Sequence, residues 1–165
     1  MKGVLFVFLF AAVVGITNIN AGSLTQDFDK ASYYKILKSG TPKEIDYEIS
    51  IIDASTLTDK EAFKGALLMR KAGLVDIPKK KLDYFKSGRI KLETVLRNDS
   101  ANAEYRFLRL IIQEHAPKIV KYSSQIQDDA AFIKKNYKTL SPDIQKIVID
   151  YSQTSKSLKP QDFQS

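Results

Sequence analysis

Residues 101–116, ANAEYRFLRLIIQEHA, decide the fold. Tyr105, Leu108, Ile111, Ile112 and His115 recur at spacings of three and four, which sets them on one side of an α-helix. Arg106, Arg109 and Gln113 stand at i, i+3 and i+7 and form a polar stripe of their own. The period-two alternation of a half-buried strand is absent. The stretch therefore predicts an amphipathic helix over residues 101–116, preceded by an Asn98-Asp99-Ser100 turn and followed by a junction at Pro117.

The same pattern extends in both directions. Toward the N-terminus, Leu24, Phe28, Ala31 and Leu37 predict a helix over residues 24–38, stopped by Gly40. Thr41-Pro42-Lys43-Glu44 has the form of a capping box with proline in the first helical position. Ile45, Ile49 and Ile52 continue it as an apolar stripe. A second box, Thr58-Asp59-Lys60-Glu61, predicts the start of a helix that buries Ala62, Phe63, Ala66, Leu67 and Met69. Gly73 is expected to end it in the left-handed conformation, with Leu74 folding back on Met69. From Ile77-Pro78 a longer helix carries Leu82, Phe85, Leu92, Val95 and Leu96. Toward the C-terminus, Ile119, Ser123, Ile126, Ala130, Ile133 and Tyr137 predict one extended seam. Ser141-Pro142 opens a last helix through Ile144, Ile147, Val148 and Tyr151. The polar tail, residues 153–165, has little to bury and is expected to fray. The fold class is all-α, six to seven antiparallel helices in a hairpin array or bundle.

The first residues read as an export leader: Lys2, an unbroken apolar run at residues 4–14, then the small-residue exit Asn20-Ala21-Gly22. Cleavage is expected after Ala21, leaving a helical domain over residues 22–152 and the tail. The apolar run is too short for a spanning helix, which needs about 20 residues, so no stable membrane anchor is expected after cleavage. The chain has no cysteine, which excludes lipid attachment at a leader cysteine, thiol catalysis, zinc–thiolate sites and disulfides. Without Lys2 the chain holds 25 basic and 19 acidic residues. The charges are interspersed, the single basic run being Lys79-Lys80-Lys81. That balance favours anionic surfaces weakly, and no nucleic-acid partner is expected of an exported chain.

Two stretches carry resemblances. Phe85-Lys86-Ser87-Gly88, Leu92-Glu93, Val95 and Asn98-Asp99-Ser100-Ala101-Asn102 resemble the second half of a tetratricopeptide repeat, with Val95 larger than the pattern asks and Ser100 in place of proline. Over residues 60–135, Phe63-Lys64-Gly65-Ala66, Glu104-Tyr105-Arg106-Phe107-Leu108-Arg109-Leu110, Gln113, Pro117, Tyr122 and Ile126-Gln127-Asp128-Asp129 resemble a group of uncharacterised exported proteins of Bacteroidota. That resemblance implies a helical fold and a periplasmic setting, and no activity.

No catalytic or metal motif stands out, and no cofactor is expected. The binding candidates are Arg106, Arg109 and Gln113, with Glu104 near the helix start, where the dipole favours a carboxylate. Two guanidinium forks in a row can hold a carboxylate or phosphate. Such a network more often fixes helix packing, here by binding Asp128, Asp129 or loop carbonyls of the next helix. His115, the single histidine, is expected half-buried near a helix end and without catalytic partners. Gly65 and Gly88, inside helical patterns, point to close helix packing. The expected role is a protein- or peptide-interaction module of the cell envelope, its partner an unknown envelope protein or peptide. The alternative, a small helical hydrolase or lyase, would need carboxylates such as Glu104 and Asp129 to converge in an open pocket.

Overall fold

The computed structural model describes residues 27–164; the expected leader, its cleavage point and Leu24 lie outside the described residues. Among these the chain forms α1 (Lys30–Ser39), α2 (Pro42–Ala54), α3 (Lys60–Ala72), α4 (Pro78–Asn98), α5 (Ala103–His115), α6 (Ile126–Asn136) and α7 (Pro142–Ser152). Short 3-10 turns occupy Lys118–Val120, Tyr137–Thr139 and Pro160–Phe163, and there is no strand among the described residues. The protein is all-α, held by helix packing.

Local chemistry sets most helix starts. Asp29 accepts the Ser32 N–H at 2.8 Å, so α1 opens at Lys30 rather than near residue 24. Phe28, ahead of that cap, packs edge-on against Phe63 with ring centroids 5.2 Å apart. At α2 the box forms as read: the Thr41 N–H donates to Glu44 Oε2 at 2.8 Å and the Glu44 N–H to Thr41 Oγ1 at 3.3 Å. The second box does not form. Asp59, not Thr58, is the capping residue of α3, and its side chain makes no capping bond. Its carboxylate instead accepts the Tyr105 hydroxyl at 2.7 Å, while Glu61 pairs with Lys91 and Lys64. Gly73 likewise departs from expectation. Its φ of −74° is right-handed, and α3 ends on tight bonds from Gly73 N–H to the Arg70 carbonyl and from Leu74 N–H to the Lys71 carbonyl.

α3 and α4 form an antiparallel hairpin, since Glu61 meets Lys91, Gly65 meets Gly88, and Lys71 meets the Tyr84 ring. The two glycines are the contact point. A Cβ at Gly65 would stand 2.7 Å from the Gly88 carbonyl oxygen, and one at Gly88 would stand 2.5 Å from that of Gly65. Backbone touches backbone, so only glycine fits at either position. The small residue that resembles the helical-repeat pattern has the close-packing role expected of it.

α5 lies at the centre. Asn102 caps it by accepting the N–H groups of Glu104 and Tyr105. Its apolar residues Phe107, Leu108 and Leu110 are fully buried, and Glu104, Arg109, Gln113 and Glu114 are buried as well. The helix is covered nearly all round.

Two C-terminal expectations are corrected. The seam does not run from Ile119: a 3-10 turn follows Pro117, Lys121 adopts a left-handed φ of 47°, and α6 begins only at Ile126. Ile119 is 87 % exposed. Nor does the tail fray, because Ser155, Leu158 and Phe163 are buried in the fold. Two serines and one buried carboxylate, described below, hold it there.

The glycine crossing yields a paired prediction. Gly88→Ala should cost roughly 1–3 kcal/mol by overpacking, despite alanine's better helix propensity. Gly73→Ala, whose Cβ would meet nothing closer than 3.4 Å, should be neutral or stabilising by up to about 1 kcal/mol. Urea denaturation of the two variants checks both signs.

Candidate functional site

The structure brings three of the four candidate residues toward α6 and sends the fourth elsewhere. Arg109 grips Asp129 with both prongs of its fork, Nε to Oδ2 at 2.7 Å and Nη2 to Oδ1 at 2.8 Å. Its remaining amine reaches Glu93 on α4 at 3.1 Å. Arg106 adds a bond to Asp129 at 3.0 Å, another to the Ser100 carbonyl at 2.7 Å, and stacks over Phe132 at 4.2 Å. Gln113 donates to Gln125, the residue that precedes α6, at 2.8 Å. Glu104 faces α1, where it takes Lys30 Nζ at 2.5 Å and the Tyr34 hydroxyl at 3.4 Å.

Electrostatics follow from that geometry. Asp129 is wholly buried, with its two oxygens saturated by guanidinium donors. Burial alone would weaken the charge on Arg109, but the Asp129 bonds outweigh it and raise its pKa above the usual arginine value. Tyr122 extends the network by donating to Glu93 at 2.5 Å; burial and that carboxylate push its phenol well up. The stripe is thus spent inside the protein on Asp129, one of the two internal partners considered from sequence. Asp128, its neighbour, points away and is exposed. Glu104 and Asp129 answer to different cations on different helices and do not converge in an open pocket. Among the described residues no three His, Asp or Glu side chains cluster as metal ligands.

An accessible site lies elsewhere. Between α1 and α7, with α5 as its floor, runs a cleft of 670 Å³, within the roughly 300–1,000 Å³ of ligand-binding clefts. Tyr34, Leu37, Phe107, Ile111, Ile147 and Tyr151 make its apolar surface. Lys35 and Lys38 of α1 and Arg70 of α3 line it with positive charge, and α7 contributes Asp143, Lys146 and Asp150. Arg70 is steadied by its Nε bond to the Leu37 carbonyl at 3.2 Å. His115, expected half-buried, is exposed and also lines the cleft, with Nδ1 2.8 Å from the Ile111 carbonyl. No family model, curated protein or solved structure matches this chain.

Sequence reasoning missed this cleft, and the residue spacing gave no signal for it. The α7 stripe Ile144, Ile147, Val148 and Tyr151 has the ordinary i, i+3, i+4 and i+7 spacing of a helix that packs on one side. The structure divides it: Ile144 and Val148 are fully buried, while Ile147 and Tyr151 are only partly covered and line the cleft.

Next to the cleft's histidine sits Glu114, buried, which accepts Ser155 Oγ at 2.9 Å, the Ser157 N–H at 2.9 Å, the Lys156 N–H at 3.1 Å and the Tyr151 hydroxyl at 2.6 Å. The Ser157 hydroxyl donates to it as well. Burial pushes the carboxyl pKa up, but the donors from Ser157, Tyr151, Ser155 and the Lys156 backbone prevail and hold it below the ordinary value.

Two predictions follow from these carboxylates. Removing the fork by Arg109→Ala leaves Asp129 buried without its main partner and should cost about 3–5 kcal/mol; Arg106→Ala, which leaves the fork intact, should cost less. Thermal unfolding of both variants decides whether the stripe is internal scaffolding. Glu114 has a depressed folded pKa, so its stabilisation is complete above the unfolded value and is lost as pH falls through the folded one. Glu114→Gln should therefore lose about 2 kcal/mol near neutral pH, and its deficit against the parent chain should shrink below about pH 4. Urea titrations across that range read it directly.

Proposed function

We propose that this chain is an exported helical interaction module of the cell envelope, and that it holds an amphipathic helical segment of a partner protein or peptide in the α1–α7 cleft. The observation that carries the reading is the cleft itself. Ala31, Tyr34, Lys35 and Lys38 line one wall at i, i+3, i+4 and i+7, and Asp143, Lys146, Ile147, Asp150, Tyr151 and Thr154 repeat the same spacing along the other. Two rows of side chains over an apolar floor are what an amphipathic helix packs into, its own apolar residues filling the groove at matching intervals. The excess of cations on the α1 and α3 side selects a segment with acidic residues along that flank.

Export rests on the tripartite leader pattern of residues 1–21. Among the described residues no helix is long and apolar enough to cross a membrane. Membership in the exported Bacteroidota group is part of the same proposal, resting on the motifs between residues 60 and 135.

The test is titration of fluorescently labelled amphipathic helical peptides, acidic and basic, against the chain and against Lys35→Glu/Lys38→Glu. Both lysines are exposed, so the double variant should unfold within about 0.5 kcal/mol of the parent. Acidic peptides should bind the parent and lose on the order of tenfold in affinity with the variant. Equal binding of basic and acidic peptides, or no peptide binding at all, would sink the cleft reading.

A further inference from the structure

A second surface, built from α4 and the turn after α5, uses none of the cleft residues. The turn is a rigid projection. Val120 N–H bonds to the Pro117 carbonyl at 3.0 Å and Lys121 N–H to the Lys118 carbonyl at 3.1 Å. Lys121 then takes its left-handed φ, a conformation few non-glycine residues adopt. This geometry thrusts Ile119 outward between Lys118 and Lys121, with 87 % of the isoleucine in contact with solvent. The base of the projection is fixed to α4. Tyr122 packs edge-on against Phe85 with centroids 5.8 Å apart, lies under the Arg89 guanidinium at 4.7 Å, and bonds Glu93.

α4 presents matching chemistry. Lys79, Leu82, Lys86 and Ile90 follow one another at i, i+3, i+7 and i+11, so they share a helix face. Leu82 is 50 % and Ile90 67 % exposed. Lys79, Lys80, Lys81 and Lys86 on α4, and Lys118 and Lys121 in the turn, are all exposed, and no salt bridge engages any of them among the described residues. Asp83 is the acidic residue on this stretch of the helix.

Solvated lysines alone would be an ordinary helix surface, and isolated exposed apolar side chains are common. The combination is different: a rigid turn holds a bare isoleucine between two lysines and is clamped to a helix that interleaves further lysines with Leu82 and Ile90. An aqueous anion or a nucleic acid gains nothing from the apolar members. A lipid surface engages both kinds, since anionic headgroups meet the lysines while apolar side chains enter the acyl boundary. From this juxtaposition we infer that the α4 face and the Ile119 turn dock the protein reversibly on an anionic lipid surface. The inference is independent of the occupant of the cleft.

The experiment is vesicle co-sedimentation of the exported, leader-processed chain, with phosphatidylglycerol–phosphatidylcholine vesicles against phosphatidylcholine alone. Any residual leader would act equally in every variant, so comparison between variants isolates the surface. The parent should partition onto the anionic vesicles and be released by salt. Lys79→Glu/Lys86→Glu should weaken partition on the order of tenfold, and Ile119→Ser severalfold, while both leave the unfolding midpoint in place. Because the chain has no tryptophan, Ile119→Trp gives a single reporter, whose emission should shift to the blue on anionic vesicles; Gln153→Trp should not shift. Three outcomes overturn the inference: no partition at low salt, partition without the Ile119→Trp shift, or insensitivity to Ile119→Ser together with equal affinity for duplex DNA. The last would leave only a nonspecific basic surface.

Discussion

The structure depends on what happens when a helix rich in polar side chains becomes the centre of the fold. α5 is covered on nearly every side, and a buried charge without a partner costs more than one helix can recover by packing. Each buried polar residue on α5 therefore reaches a counterpart on another element, though Gln113 Oε1 is left without one. Glu104 finds Lys30 and Tyr34 on α1. Arg109 finds Asp129 on α6 and Glu93 on α4. Gln113 reaches Gln125 at the entry to α6, and Glu114 gathers Tyr151 of α7 and the serines beyond it. These bonds are directional, whereas apolar burial is not. They fix which neighbour lies at which rotation around α5, a role packing alone fills less strictly.

The same arrangement explains what the sequence made legible. Helix class, the Thr41–Glu44 box, the proline starts and the Gly65–Gly88 contact are all consequences of local pattern or residue size, and local pattern is what a sequence displays. The failures have two causes. Thr58-Asp59-Lys60-Glu61 has the letters of a capping box, but Tyr105 takes Asp59 and Lys91 takes Glu61 from a distance in sequence of dozens of residues. Ile119 fits the spacing of the α6 seam, yet Pro117 and the left-handed Lys121 break the helix before the spacing can operate. Residues 153–164 look too polar to dock, yet Ser155, Leu158 and Phe163 are buried, because a single carboxylate supplies an acceptor to several donors of the segment. A tertiary partner, invisible to periodicity, decided the first and the last of these; at Ile119 the local backbone did.

The candidate site was legible in one respect only. The stripe Arg106, Arg109 and Gln113 was recognisable as a unit, and it acts as one, but toward Asp129 and Gln125 rather than toward a ligand. Nothing in residue type distinguishes a guanidinium fork waiting for a ligand from one that already holds a carboxylate of its own chain. The cleft had the opposite problem. Its apolar members Ile111, Ile147 and Tyr151 have the spacing of core residues, and a groove wall and a core face have the same period.

Internal satisfaction of α5 also bears on how the cleft can work. Phe107 on its floor touches Tyr34 of α1 and Tyr151 of α7, with ring centroids 5.8 and 5.4 Å apart. Tyr151 is held in turn by Glu114, and Tyr34 by Glu104. Both walls are thus tied to the floor by an aromatic contact backed by a buried carboxylate one helix turn or two away on α5. A groove fixed in this way does not have to order its own side chains when it is filled, and that ordering is a large share of the cost of association. The lysines along its α1 side are exposed, so on the reading proposed above they would choose among partners by charge without deforming the walls. On that reading the apolar floor supplies affinity and the charged edge selectivity, and the polar bonds of α5 hold the floor in place.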